Sequence, residues 1–105
     1  QNILTMSNIK ISSPFIRGFT HTDTVVGTSI VQLIAAAPPE AKRVLVVIQN
    51  KSSDKTVEVF LNATSTSQGI IIPAGSNISV DNYNGPVRVI ASGAGVTVNL
   101  SIGSI

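Results

Sequence analysis

The sequence predicts an all-β protein: an antiparallel β-sandwich of seven or eight short strands, jelly-roll-like or immunoglobulin-like, with an extended N-terminal arm. Three observations carry this prediction. Val44 through Ile48 are consecutive apolar residues, mostly β-branched, so an extended chain there must withdraw side chains from water on both faces. Turn-forming Gly, Pro, Asn and Asp recur at roughly eight- to twelve-residue spacing, with no sustained 3.6-residue periodicity between them. The chain has 105 residues, enough to build one core and too few for two.

Arg43 to Asn50 is the central strand, bounded by Pro38-Pro39 before it and by Asn50-Lys51-Ser52-Ser53-Asp54 after it. A strand that is apolar on both faces calls for a second layer, which makes the sandwich. Residues 1–22 are set apart as an N-terminal arm or a first edge strand, and residues 23–105 form the sandwich domain. In the first stretch Ile9 and Ile11 alternate around Lys10, Pro14 and Gly18 interrupt any regular element, and two of the three Phe residues, Phe15 and Phe19, occur. If this stretch is an arm lying on another subunit, Ile9, Ile11, Phe15 and Phe19 are its contacts.

Thr24 to Ala36 reads as one strand bent at Gly27 or as two short ones. The prolines of Ala35 to Lys42 forbid ladder hydrogen bonds, so a loop is expected there, with a helical turn starting at Pro39. Lys55 to Asn62 alternates most cleanly, with Val57, Val59 and Leu61 inward. Phe60 falls on its polar side, which makes it either a core residue of a doubly covered strand or an exposed contact anchor. Residues 63–68 read as a polar turn. Ile70-Ile71-Ile72 is a short strand stopped by Pro73, and Asn77 to Val80 is another. In the turn Asp81 to Pro86, Asn84-Gly85 is the strongest positive-φ pair, and Tyr83 is an aromatic candidate for contact. Val87, Val89 and Ala91 point inward. Ser92 to Gly95 is expected to close a hairpin onto a last strand whose Val96, Val98, Leu100 and Ile102 also point inward.

Composition narrows the function classes. Charged residues make up 11% of the chain, against about 25% in an average soluble protein, so a surface covered by neighbouring subunits is expected. The net charge is +2 and the basic residues are scattered, so nucleic-acid binding, which wants them clustered, is not expected. There is no cysteine, which excludes disulfides, Cys-based zinc sites and thiol nucleophiles. Neither a membrane helix nor a signal peptide is expected. His21 is the sole histidine; with Asp23 it is too little for a metal site and reads as a loop residue. No acid pair, phosphate loop or nucleophile motif stands out, so neither catalysis nor a cofactor is expected. The Asn-x-Ser/Thr triplets at Asn50, Asn62, Asn77 and Asn99 read as chance in a chain this rich in those residues.

Several stretches, taken together, form a further pattern: Gly27 to Ala36, Pro38, Arg43 to Asn50, Val57 to Leu61, Gly69 to Gly75, Asp81 to Val87 and Ile90 to Gly93. This pattern resembles small virion accessory proteins of tailed bacteriophages and prophages, and it covers about Thr24 to Leu100. The resemblance implies a capsid decoration or cement protein on the outer capsid surface of a virion. Such a protein would be a homotrimeric β-sandwich that binds the major capsid protein and bridges neighbouring capsid subunits. The alternative is a receptor- or carbohydrate-binding module of a phage fibre, spike or tail, with Tyr83 as its aromatic.

Overall fold

The computed structural model of the protein describes residues 16–38, 43–62 and 68–105. They form eight strands: β1 (Gly18–Val26), β2 (Val31–Ile34), β3 (Arg43–Asn50), β4 (Val57–Phe60), β5 (Ile70–Ile72), β6 (Asn77–Asp81), β7 (Val87–Ala91) and β8 (Val96–Ser104). No helix occurs among the described residues. The strands make two four-stranded antiparallel sheets, in the orders β1-β8-β3-β6 and β2-β7-β4-β5.

The pairing has a simple rule. β1 pairs with β8, β2 with β7, β3 with β6 and β4 with β5, so the chain is one long hairpin folded at the β4–β5 connection. Rolled up, the ribbon brings β8 beside β3 and β7 beside β4, which is jelly-roll connectivity. The expected sandwich is therefore present. Its core is mostly β-branched and comes from both sheets: Val26, Val46, Ile48, Val96, Val98 and Leu100 from the first, and Val57, Val59, Ile72, Val87, Val89 and Ala91 from the second.

Some expectations change, and some open alternatives are decided. β1 spans the 22/23 boundary, and the Arg17 amide donates to the Ser104 carbonyl at 2.7 Å, so residues 18–22 belong to the sandwich as an edge strand. His21 therefore sits in a strand and not a loop; the Thr, His and Asp residues of β1 hide its alternation because both of its sides are mostly exposed. Of the two readings of Thr24 to Ala36, the structure has two strands: Gly27 follows β1, and β1 and β2 lie in different sheets. Ser92 to Gly95 likewise carries the chain from one sheet to the other and closes no hairpin, because β7 and β8 are not partners. In the turn after β6 it is Asn82 that takes positive φ, at 53°, and not Asn84-Gly85. Gly85 is needed for closeness instead: a Cβ there would run into the Tyr83 ring.

β3 also departs from expectation. It is an interior strand, flanked by β8 and β6, and Val46 and Ile48 are fully buried. Its other face is not covered by a layer among the described residues: Leu45 and Val47 are half-buried and Gln49 is exposed. Cross-strand neighbours shield these side chains as far as they are shielded at all. The helical turn expected at Pro39 and most of the polar turn at 63–68 lie outside the described residues, as does the stretch 1–15.

Candidate interaction face

The side of β1-β8-β3-β6 that faces away from the core is built in cross-strand rows. Phe19, Gly103, Leu45 and Asp81 form one row; His21, Ser101, Val47 and Ser79 the next; Asp23, Asn99, Gln49 and Asn77 the third. One end of the face is apolar. Gly103 has no side chain, and the Phe19 ring and Ile16 lie over it: a Cβ at Gly103 would meet Phe19 Cε1 at 3.0 Å and Ile16 Cδ1 at 3.2 Å. Phe19 is nonetheless 47% exposed, and its ring stacks on the His21 imidazole with centroids 6.1 Å apart.

The other end is a chain of side-chain hydrogen bonds whose directions follow from the groups themselves. Asp23 only accepts, taking Lys51 Nζ at 3.1 Å and Asn99 Nδ2 at 2.8 Å. Asn99 therefore presents Oδ1 to the Ser101 hydroxyl at 2.8 Å, and Ser101 Oγ, its proton spent, accepts from His21 Nδ1 at 2.6 Å. The hydrogen bonds from Asn99 and then Lys51 hold the Asp23 carboxyl below its ordinary range. Its contribution to stability is therefore present above that range and is lost as pH falls through the lowered value. The Ser101–His21 contact resembles a nucleophile beside a base, but the hydroxyl proton points to Asn99 and not to the imidazole, which is the wrong direction for activation.

The sequence candidates are not brought together. Ile9, Ile11 and Phe15 lie outside the described residues. Phe19 sits on the apolar end of the face. Phe60 is 3% exposed, opposite Arg88 on β7; it is buried but lies outside the cluster between the sheets, and burial withdraws it as an exposed contact anchor. Tyr83 is half-buried beyond β6, its hydroxyl donating to the Pro86 carbonyl at 2.5 Å. The buried Arg43 at the start of β3 reaches the same turn, its Nη2 donating to the Gly85 carbonyl at 2.9 Å.

Sequence reasoning missed the His21–Ser101–Asn99–Asp23 chain because its halves lie about eighty positions apart. The only local signal was the spacing of two between His21 and Asp23 and between Asn99 and Ser101, which in a strand puts each pair on one face. The second sheet carries a lesser feature: a shallow depression of about 220 Å³ lined by Thr56, Glu58, Ile71, Ile90, Ala91 and Ser92. Its one acid, Glu58, already accepts the Gly69 amide at 2.8 Å. Among the described residues no three His, Cys, Asp or Glu side chains converge.

Burial pushes the Tyr83 phenol above its ordinary value, against a smaller opposing pull from Arg43. A raised folded value means that stability is complete below the unfolded value, about 10, and declines as pH rises through the folded one. Tyr83 is the single tyrosine in a chain without tryptophan, so phenolate absorbance reports it alone. The titration midpoint is expected above that of an unfolded sample. Tyr83→Phe should cost about 1 kcal/mol at neutral pH through the lost hydrogen bond and flatten the alkaline decline. Coincident folded and unfolded midpoints would mean that the ring is solvated.

Compared with models of known protein families and with curated proteins, the sequence matches none.

Proposed function

We propose that this protein is a non-enzymatic virion structural protein, a decoration or cement protein that binds the outer capsid surface of a tailed bacteriophage. In this reading it acts as a homotrimer, and its partner is the major capsid protein, whose neighbouring subunits it bridges and stabilises. The observation that carries the reading is the outward face of β1-β8-β3-β6, apolar around Phe19, Ile16 and Leu45 and fixed by hydrogen bonds around Asp23 and Asn99. Such a face is suited to adhesion. A trimer that engages several lattice sites at once turns weak single contacts into firm attachment through effective concentration. The resemblance carried by Thr24 to Leu100 and the low charge of the chain point the same way.

Jelly rolls serve in capsid and lectin domains alike, so fold association alone favours neither this reading nor the sugar-binding alternative. Tyr83 supports putting the capsid reading first: its ring is half-buried and its hydroxyl donates to the Pro86 carbonyl, so it offers less of the exposed aromatic face that sugar binding uses.

The test mixes the purified protein with shells assembled from the major capsid protein encoded in the same genome. The protein is expected to co-sediment at fixed stoichiometry and to raise the shells' melting temperature. Leu45→Gln should weaken attachment about tenfold without altering the circular dichroism spectrum. Protein left in the supernatant, or specific glycan binding abolished by Tyr83→Ala, would overturn the reading.

A further inference from the structure

The outer edge of β1 is a nine-residue strand end with nothing paired to it among the described residues. Which of its amides are free can be derived. Lys51 N donates to the Thr97 carbonyl at 2.9 Å, so on β8 the odd-numbered residues bond toward β3 and the even-numbered ones toward β1. On β1 the even-numbered residues then bond to β8, because Gly18 faces Ser104, Thr20 faces Ile102 and Thr22 faces Leu100. The N–H and C=O groups of Phe19, His21, Asp23 and Val25 therefore point to the open edge.

The side chains of this edge are self-complementary. Laid antiparallel on a second copy with Thr22 opposite Thr22, the strand puts His21 against Asp23, Phe19 against Val25 and Thr20 against Thr24. These pairs join odd with odd and even with even, so the free amides meet free carbonyls and the Thr22 pair falls at a non-hydrogen-bonded position. On the outward face, the imidazole, its Nδ1 held by Ser101, would lie beside the partner copy's Asp23. Beside it, Phe19 would cover Val25, which at 69% is the most exposed large apolar residue described. On the inward face, Thr20 and Thr22 are exposed, so the second sheet of the sandwich does not obstruct a neighbour there.

We infer that β1 is a homotypic interface, through which two copies of this chain pair about a two-fold axis to form one continuous eight-stranded sheet. The contact is isologous, as a two-fold requires, and it uses strand addition. It does not rest on the capsid reading. A threefold contact made elsewhere on the molecule would leave this edge open to link one trimer to the next. A single strand pair buries little surface, so the association is a transient one.

The chain has no cysteine, so one introduced thiol gives an unambiguous readout. Thr22→Cys places two thiols at a non-hydrogen-bonded antiparallel pair, within the Cα separation that a disulfide spans. Under mild oxidation this variant is expected to form covalent dimers about tenfold faster than a control with Ser53→Cys in an exposed loop, because pairing raises the local thiol concentration. Val25→Pro removes an amide that only the partner uses, so it should return Thr22→Cys to the control rate while leaving the β-sheet spectrum intact. Sedimentation of the wild type should show mass rising with concentration, and Val25→Pro should abolish the part of that rise that this edge carries. Equal cross-linking rates for the two cysteine variants, or dimerisation that Val25→Pro leaves unchanged in a folded protein, would overturn the inference.

Discussion

Val46→Asp is expected to leave the chain unfolded. Val46 is fully buried at the middle of β3, between Ile102 on β8 and Val80 on β6, with its side chain in the layer between the two sheets. A carboxylate there has no basic partner. An unpaired buried charge costs at least several kcal/mol, against the roughly 5–15 kcal/mol by which a domain of this kind is stable. The neighbouring position supplies the control. Val47 lies on the opposite face of the same strand and is half-buried beside Ser101 and Ser79, where a carboxylate keeps much of its water. Val47→Asp should therefore cost on the order of 1 kcal/mol and still melt cooperatively. Far-ultraviolet circular dichroism with urea titration separates the two. A Val46→Asp protein that melts like the wild type would mean that the two faces of β3 are assigned the wrong way round, and a pair of variants equally damaged would mean that its outer face is covered as well.

That contrast shows where the sequence is informative and where it stops. The alternation of Val87, Val89 and Ala91 and of Val96, Val98 and Leu100 marks inward faces directly, because a strand has only two sides and burial selects one. Partnership is another matter. Ser92 to Gly95 looks like the tip of a hairpin because a glycine-rich turn between two alternating strands is what a hairpin requires. Yet the same turn, with Gly95 at a φ of 74°, serves to step from one sheet to the other. Nothing local distinguishes these uses: the choice is made by β8 finding β1 and β3, whose residues lie dozens of positions upstream. The apolar run Val44 to Ile48 misleads for a related reason. A strand flanked by two others can carry half-buried Leu45 and Val47 on its outer side, so apolar residues on both faces did not require a layer on both. Of the candidate contacts, Phe19 sits on the outward face because its partner is Gly103, a fact legible only in the register.

Asn50 is where the largest effect from a polar residue is expected. It is a polar residue at the end of β3, and it is fully buried. Its Nδ2 donates to the Lys55 carbonyl at 2.7 Å and to the Ile72 carbonyl at 3.1 Å, while its Oδ1 accepts the Ser52 amide at 3.0 Å. One side chain of the first sheet thus ties down the approach to β4 and the end of β5 in the second. Asn50→Ala strands those groups without water and should cost about 3 kcal/mol, since each buried polar group left unpaired costs about 1–3 kcal/mol. Asn50→Asp is the sharper test, because it keeps the shape but turns a donor into a charge facing two carbonyl oxygens. The protonated acid can still donate to one of them, so burial and those dipoles should raise its folded pKa above the unfolded value. The sign follows: the variant should be most stable at pH values below the ordinary carboxylate range and lose stability as pH rises through the raised value. Urea midpoints at pH 4 and pH 7 measure this. If the Ala variant lies within about 0.5 kcal/mol of the wild type, the range of an ordinary surface substitution, or the Asp variant is indifferent to pH, then Asn50 is not the tie between the two sheets.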